Sequence, residues 1–484
     1  MSINRRRLLK SAIAGSSAVA LMNESLFATE DAPNPKSNRF LLYIHFGSSC
    51  GVANGLLQPL APNKWPTGFF NSGMEGQAAN PFLNMHTQSE GLVFHDYMKF
   101  LAPMAKDMCL VEGTSQSLDH NVARLLQMRG SPTASSSPEW AMGVTEFMRT
   151  SANLNPMVIT AGTKTSSVAD VTAVVSPNIA NFTSITSDPA TIAAGGDPIW
   201  NVLKNRFKNP ALSSVIADAS LNSSATYQLD TLKAGLPQLA KASADIKALT
   251  AALAADSTAK VLADLRDKDA VTALNTRDTG FRDSLILAGI LAKTGLANGM
   301  TINAIADDLH IGGADVATAR SASSKWAMIM LFWNWITENK LNNDVMIVIG
   351  QEFARSPYNA ATQAFTMANG AGQPLLDAKG APMVDASGKP IILKAPGRDH
   401  SLCMGTMFIN SGVPSGGRIG FVGSNMTPQA TKDAKGTIDA TAMPYTSDNI
   451  VGSMLLRVYP DLFPTERMVR KHWPTFKEIT PITA

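Results

Sequence analysis

Cysteine is scarce in this sequence: Cys50, Cys109 and Cys403 are all that 484 residues contain, too few for a disulfide framework. Signature motifs are missing as well. There is no Walker loop, no G-x-G-x-x-G turn and no paired-cysteine zinc motif, which removes the commonest nucleotide-binding and structural-zinc readings. Methionine is plentiful at 23 residues, yet no methionine cluster suggests copper. Beyond the N-terminus no apolar run is long enough to cross a bilayer, so no integral membrane segment is expected in the mature chain. What remains, 45% hydrophobic and 16% charged residues, has ample apolar material for a globular core.

The N-terminus reads as a targeting segment. Arg5, Arg6 and Arg7 precede Leu8, Leu9 and Lys10, and a short apolar stretch then runs from Ala12 to Met22 and ends in small residues near Ala28. This is the pattern of a twin-arginine signal peptide over residues 1–28, followed by a polar, proline-containing linker at 29–38. The expectations are passage through the twin-arginine export machinery and a periplasmic or extracellular location. Removing the segment takes away four basic residues and one acid, so the formal charge of +3 falls to about zero. No basic field is left to attract nucleic acid.

Residues 39–484 read as a single α/β domain. Phe40 to Phe46 (FLLYIHF) is a continuous apolar run of strand length, as expected of a strand buried on both faces of a parallel sheet. Similar runs occur at Met108 to Val111, Met157 to Thr160, Val171 to Val175, Thr301 to Ile305, Val345 to Ile349 and Met407 to Ile409, separated by helical patterns such as Arg282 to Ala297 and Trp326 to Glu338. Alternation of this kind predicts a mainly parallel central sheet flanked by helices. Two insertions are expected. One is a helical layer at about 214–269, with leucines at 229, 232, 236 and 239. The other is a β-hairpin at about 373–394, which carries the near-repeat Leu375-Leu-Asp-Ala-Lys-Gly-Ala-Pro and Met383-Val-Asp-Ala-Ser-Gly-Lys-Pro.

Open parallel sheets bind ligands beyond the carboxyl ends of their strands, so the residues just after the predicted strands are the ones to inspect. Four such segments are polar: Gly47-Ser-Ser-Cys-Gly51, Ala306-Asp-Asp-Leu-His310, Gln351-Glu-Phe-Ala-Arg355 and Gly397-Arg-Asp-His400. Asp308 and His310 can hold a divalent cation between carboxylate and imidazole, and Asp399 and His400 can complete its shell. An Asp-x-His is also a common turn. His120 follows Ser117-Leu-Asp119 and can reach the same cleft, although Ser117 or Asp119 equally reads as the cap of a helix that begins near Asn121. Gly47 to Gly51 fits G-x-S-x-G with Ser49 as nucleophile, but a serine-hydrolase elbow normally follows several strands and here at most one precedes it. Trp326, Trp333 and Trp335 share a helical stretch that packing against the sheet explains.

These residues carry a resemblance. Glu352-Phe-Ala-Arg-Ser-Pro357 resembles the E-F-G-R-T-P stretch of the exported family known as domain of unknown function 1501, itself similar to the alkaline phosphatase and sulfatase superfamily. Pro396-Gly-Arg-Asp-His400 resembles its G-G-R-D-H, Gly416-Gly-Arg-Ile-Gly420 its G-G-x-x-I-G, Asp308-Leu-His310 its D-T-H and, loosely, Ser117 to His120 its S-H-F. The resemblance spans most of residues 38 to 460 through scattered motifs. It implies an alkaline-phosphatase-like sandwich and a metal site using Asp308, His310 and His400, with Glu352 close by and Arg355 or Arg398 available to clamp an anionic ester. The implied metal is divalent, zinc first, with calcium or manganese as alternatives. The implied reaction is hydrolysis of a phosphate or sulfate ester of a small molecule or polymer. Both arginines also fit a structural role. In one place the chain departs from the family: Cys50 stands where the G-G-A-D-G aspartate would be. A thiolate can bind zinc or act as a nucleophile, whereas a buried cysteine is a small hydrophobe. A catalytically degenerate member of the same fold, which binds a ligand or partner, is therefore the rival expectation, and a serine hydrolase at Ser49 a third.

Overall fold

The strand Phe40–Phe46 (β1) is buried along its whole length, and its side chains divide strictly by parity. Phe40, Leu42, Ile44 and Phe46 belong to one core cluster, and Leu41 and Tyr43 to a second on the opposite face. A strand covered on both sides has no solvent face to mark with polar residues, which is why FLLYIHF shows no alternation. Each fully buried side chain of this size contributes about 1.5–3 kcal/mol.

The computed structural model describes residues 39–46, 85–87, 91–130, 137–148, 157–160, 172–175, 243–263, 279–295, 297–305, 314–355, 373–374, 392–393, 400–415, 417–422, 427–433 and 436–483. Residues 1–38, read from the sequence as a signal peptide and linker, lie outside these residues, as do Leu229 to Leu239 and the near-repeat between 375 and 390.

The central sheet has eight strands. With β1 they are β2 (Met108–Thr114), β3 (Met157–Thr160), β4 (Thr172–Val175), β5 (Gly299–Ile305), β6 (Val345–Gln351), β7 (Cys403–Ile409) and β8 (Gly417–Ile419). Their order is β8-β2-β7-β6-β1-β5-β3-β4. β1 runs parallel to both β5 and β6, β5 to β3, β3 to β4, and β8 to β2. Only β7 runs against its neighbours β2 and β6. The fold is thus α/β with a mixed, mostly parallel sheet and helices on both faces.

One face carries α5 (Thr279–Thr294), α6 (Ala314–Glu338) and a 3-10 helix at Asp96–Asp107. Against α5 and α6 pack α3 (Ser243–Ala252) and, on α6, α4 (Ala255–Leu262), the described part of the inserted helical region. The other face carries α1 (His120–Arg129), α2 (Trp140–Phe147), α7 (Ser447–Val458) and the C-terminal segment. Trp326, Trp333 and Trp335 are core residues, and the Trp333 indole donates to Asp107 at 3.0 Å. The sequence pattern extends α5 to Ala297, but the helix stops at Thr294 because Gly295 turns the backbone left-handed, φ 66°, a conformation glycine adopts without cost. At the base of the second insertion Gln373–Pro374 pairs antiparallel with Ile392–Leu393. Among the described residues no helix is long and apolar enough to cross a membrane.

The amino edge of the sheet is closed by permanent ties. Arg39, just before β1, donates to the Asn343 carbonyl at 2.7 Å and to Asp461 at 2.9 Å, and its guanidinium lies over the Tyr459 ring. The Tyr459 hydroxyl donates to the Phe40 and Asp344 carbonyls.

Candidate functional site

Strand direction gathers the chemistry at the opposite edge. β1, β5 and β6 are mutually parallel and end there at Phe46, Ile305 and Gln351. β2, antiparallel to the reversed β7, ends on the same side at Thr114, while β7 begins there at Cys403, directly opposite Thr114. Of the segments that the sequence nominates, those at 117–120 and 351–355 are described at this edge, and the backbone of His400 leads into β7 there. Ser115 N–H donates to the Leu402 carbonyl at 2.6 Å, and a short antiparallel bridge pairs the backbone of His400 with Arg355 and that of Ser401 with Ala354. These contacts join the chain after β2 and the chain after β6 to the chain before β7.

At this edge a buried carboxylate is held between two imidazoles. Glu352 lies immediately after β6, and Gln351 steadies the turn by donating to the Phe353 carbonyl at 2.9 Å. Glu352 Oε1 is 3.2 Å from His45 Nε2, and its Oε2 is 2.7 Å from His120 Nδ1. The side chains of Glu352 and His45 are 5% and 3% exposed, and that of His120 is 32% exposed. His45 has odd parity on β1, which directs it to the α1 face, and His120 is the first residue of α1. Asp119 caps that helix, its side chain accepting from Val122 N–H at 3.0 Å. The capping reading and the site reading of this segment thus hold together, one through Asp119 and the other through His120. The His120 ring also rests on Phe353, centroids 4.9 Å apart.

Burial opposes ionisation of Glu352, but the hydrogen bonds and charges of His45 and His120 outweigh it and hold the carboxyl below its usual range. Beneath the cluster the Tyr43 phenol is pushed upward, chiefly by burial and also by the carboxylates of Glu139 and Glu352. Gly350 makes room for that phenol, since a Cβ at this position would collide with the Tyr43 hydroxyl.

Sequence reasoning nominated Glu352 and His120 separately, and the fold joins them. It missed His45, whose one signal is an imidazole inside a strand of otherwise apolar residues. Ser49, Cys50, Asp308, His310, Arg398 and Asp399 lie outside the described residues. For Arg355 and His400 the backbone alone is described. Cys109 and Cys403 are buried thiols pushed up to about 12, mainly by burial, and so behave as small hydrophobes.

Two imidazoles and a carboxylate are a donor set that zinc accepts, but here they bond to one another. Among the described residues no group of three or more His, Cys, Asp or Glu side chains is arranged to hold a metal ion. No protein-family model matches the chain, and no curated protein or solved structure does either.

Proposed function

We propose that this chain is an exported hydrolase of a phosphate or sulfate ester, with its reaction centre at the carboxyl edge of the sheet. The observation that carries the reading is the buried Glu352 carboxylate held by His45 and His120. Burying a charged carboxylate costs several kcal/mol unless it is paired, and active sites are where such groups concentrate. Its place beyond the strand ends is where α/β sheets bind ligands, and in sequence the polar segment with Asp308 and His310 directly follows β5 while that with Arg398, Asp399 and His400 directly precedes β7.

In this proposal Asp308, His310, Asp399 and His400 hold a divalent cation, zinc in first place, which polarises an ester oxygen when bound. Arg355 and Arg398 neutralise the other oxygens of the anionic group. Glu352 and the two imidazoles supply a fixed polar wall beside it. Leu118, two residues before His120, is 43% exposed and suits an ester with an apolar portion.

The test is metal analysis of the purified mature protein, combined with turnover of aryl phosphate, aryl sulfate and aryl carboxylic esters. Bound metal with phosphate or sulfate turnover is expected, and His310→Ala and His400→Ala should each lose the metal and lower thermal stability. Both variants keeping full metal content would sink the ligand assignment. Absence of metal and of turnover would favour the ligand-binding, non-catalytic reading that Cys50 suggests, and metal-free ester cleavage abolished by Ser49→Ala would favour a serine hydrolase.

A further inference from the structure

The two imidazoles meet Glu352 through different nitrogens, His45 through Nε2 and His120 through Nδ1. An ionised carboxylate only accepts hydrogen bonds, so each nitrogen facing it must carry the proton. In the neutral rings this leaves the lone pair of His45 on Nδ1 and that of His120 on Nε2. We propose that Glu352 is a positioning residue that locks His45 and His120 in opposite tautomers, so that His120 presents Nε2 as the electron-pair donor of the site.

Three observations support this. First, the carboxylate is buried and its two oxygens are divided one to each ring, so neither ring competes with the other for an acceptor. Second, a carboxylate on imidazole Nδ1–H with Nε2 left basic is the arrangement by which enzymes orient a histidine toward a proton or a metal ion. Third, the two rings differ in access. His45, 3% exposed, stands inside the sheet as a second donor that fixes Glu352, whereas the His120 side chain is 32% exposed as a whole, with its Nε2 atom turned inward and buried. His45 is thus also a positioning residue, acting through Glu352. The role given to Nε2 of His120 rests on the hydrolase reading above. The tautomer assignment does not.

The experiment is long-range proton–nitrogen NMR on the full chain with labelled histidine at mildly alkaline pH. Resonances are assigned with His45→Gln and His120→Gln. Wild type should show the proton on Nδ1 of His120, the less common tautomer of free histidine, and on Nε2 of His45. A proton on Nε2 of His120 in wild type overturns the proposal without recourse to any variant. Glu352→Gln offers one acceptor and one donor in place of two acceptors, so one of the two rings should switch tautomer. Both rings unchanged in that variant would likewise overturn it. On an aryl phosphate or sulfate, Glu352→Gln should lower kcat at least tenfold with little change in KM. Wild-type kcat in Glu352→Gln would refute the role of Nε2. A wild type with the expected tautomers and no turnover would remove the hydrolase reading and leave the positioning assignment standing.

Discussion

Glu112, within a strand of the central sheet, and Glu352, directly after one, are both buried glutamates, and their charges are balanced by different chemistry. Glu112, on β2, accepts from Arg418 Nε at 3.1 Å, from Arg418 Nη2 at 2.9 Å and from the Val422 N–H at 3.2 Å, all on one oxygen. Glu352 accepts from two imidazoles, one on each oxygen. A guanidinium stays charged at every pH a protein experiences, so the Glu112 tie is permanent and joins the strand at Gly417–Ile419 to the body of the sheet. An imidazole, unlike a guanidinium, carries no permanent charge. A fold that needs only a cross-link uses the first arrangement. The second, placed at the carboxyl edge, balances a buried carboxylate with groups that carry no permanent charge.

Removing one partner of the permanent pair should produce the largest effect on stability. Arg418→Ala removes the guanidinium that meets Glu112, which is 0% exposed, at 2.9 Å, and should destabilise by about 3–5 kcal/mol in equilibrium denaturation. A loss below 1 kcal/mol would erase the distinction drawn between the two glutamates.

A smaller loss is expected where packing sets the spacing of the second cluster. Gly350 precedes Glu352 by two residues and Tyr43 precedes His45 by two, and the Tyr43 phenol lies where a side chain at 350 would stand. Gly350→Ala should cost about 1–3 kcal/mol through overpacking. Adding Tyr43→Phe, which removes the hydroxyl, should restore part of it. A double variant no more stable than Gly350→Ala alone would show that the phenol is not the obstacle.

The smallest effect is a pH dependence. The carboxyl of Glu352 lies below its ordinary value of 4.5 in the folded protein. Its stabilisation is therefore complete above that value and is lost as pH falls through the lower, folded value. Denaturation midpoints measured at falling pH should decline less steeply in Glu352→Gln than in wild type. Equal slopes would mean that His45 and His120 do not favour the charged form. Some acid dependence should survive in the variant. Glu146 is shifted the same way: burial opposes its ionisation, and bonds and charge from His472 and Lys471 outweigh that.

Much of the sheet was legible because burial on both faces writes itself as uninterrupted apolar runs. β3 matches the predicted run Met157 to Thr160 residue for residue, and β1 the run Phe40 to Phe46. β5, by contrast, starts two residues before the predicted Thr301, at Gly299, and β7 four residues before Met407, at Cys403. Glycine and threonine at those strand starts (Gly299, Gly405, Thr406) interrupt the apolar run, whereas backbone pairing does not depend on it. Of the site, the sequence marked Glu352 and His120 as polar residues near strand ends. It gave no reason to pair them, because 232 residues separate the two.

The order of residues by itself determined an α/β chain with strands at identifiable places and polar segments just beyond them, since local hydrophobic patterning and strand propensity act over a few residues. Only the tertiary structure decided that the antiparallel β7 would bring its own start to the carboxyl edge, that the odd parity of His45 would face α1, and that one carboxylate would serve two imidazoles. Those outcomes depend on strand order and direction, which are set by long-range packing that no local pattern encodes.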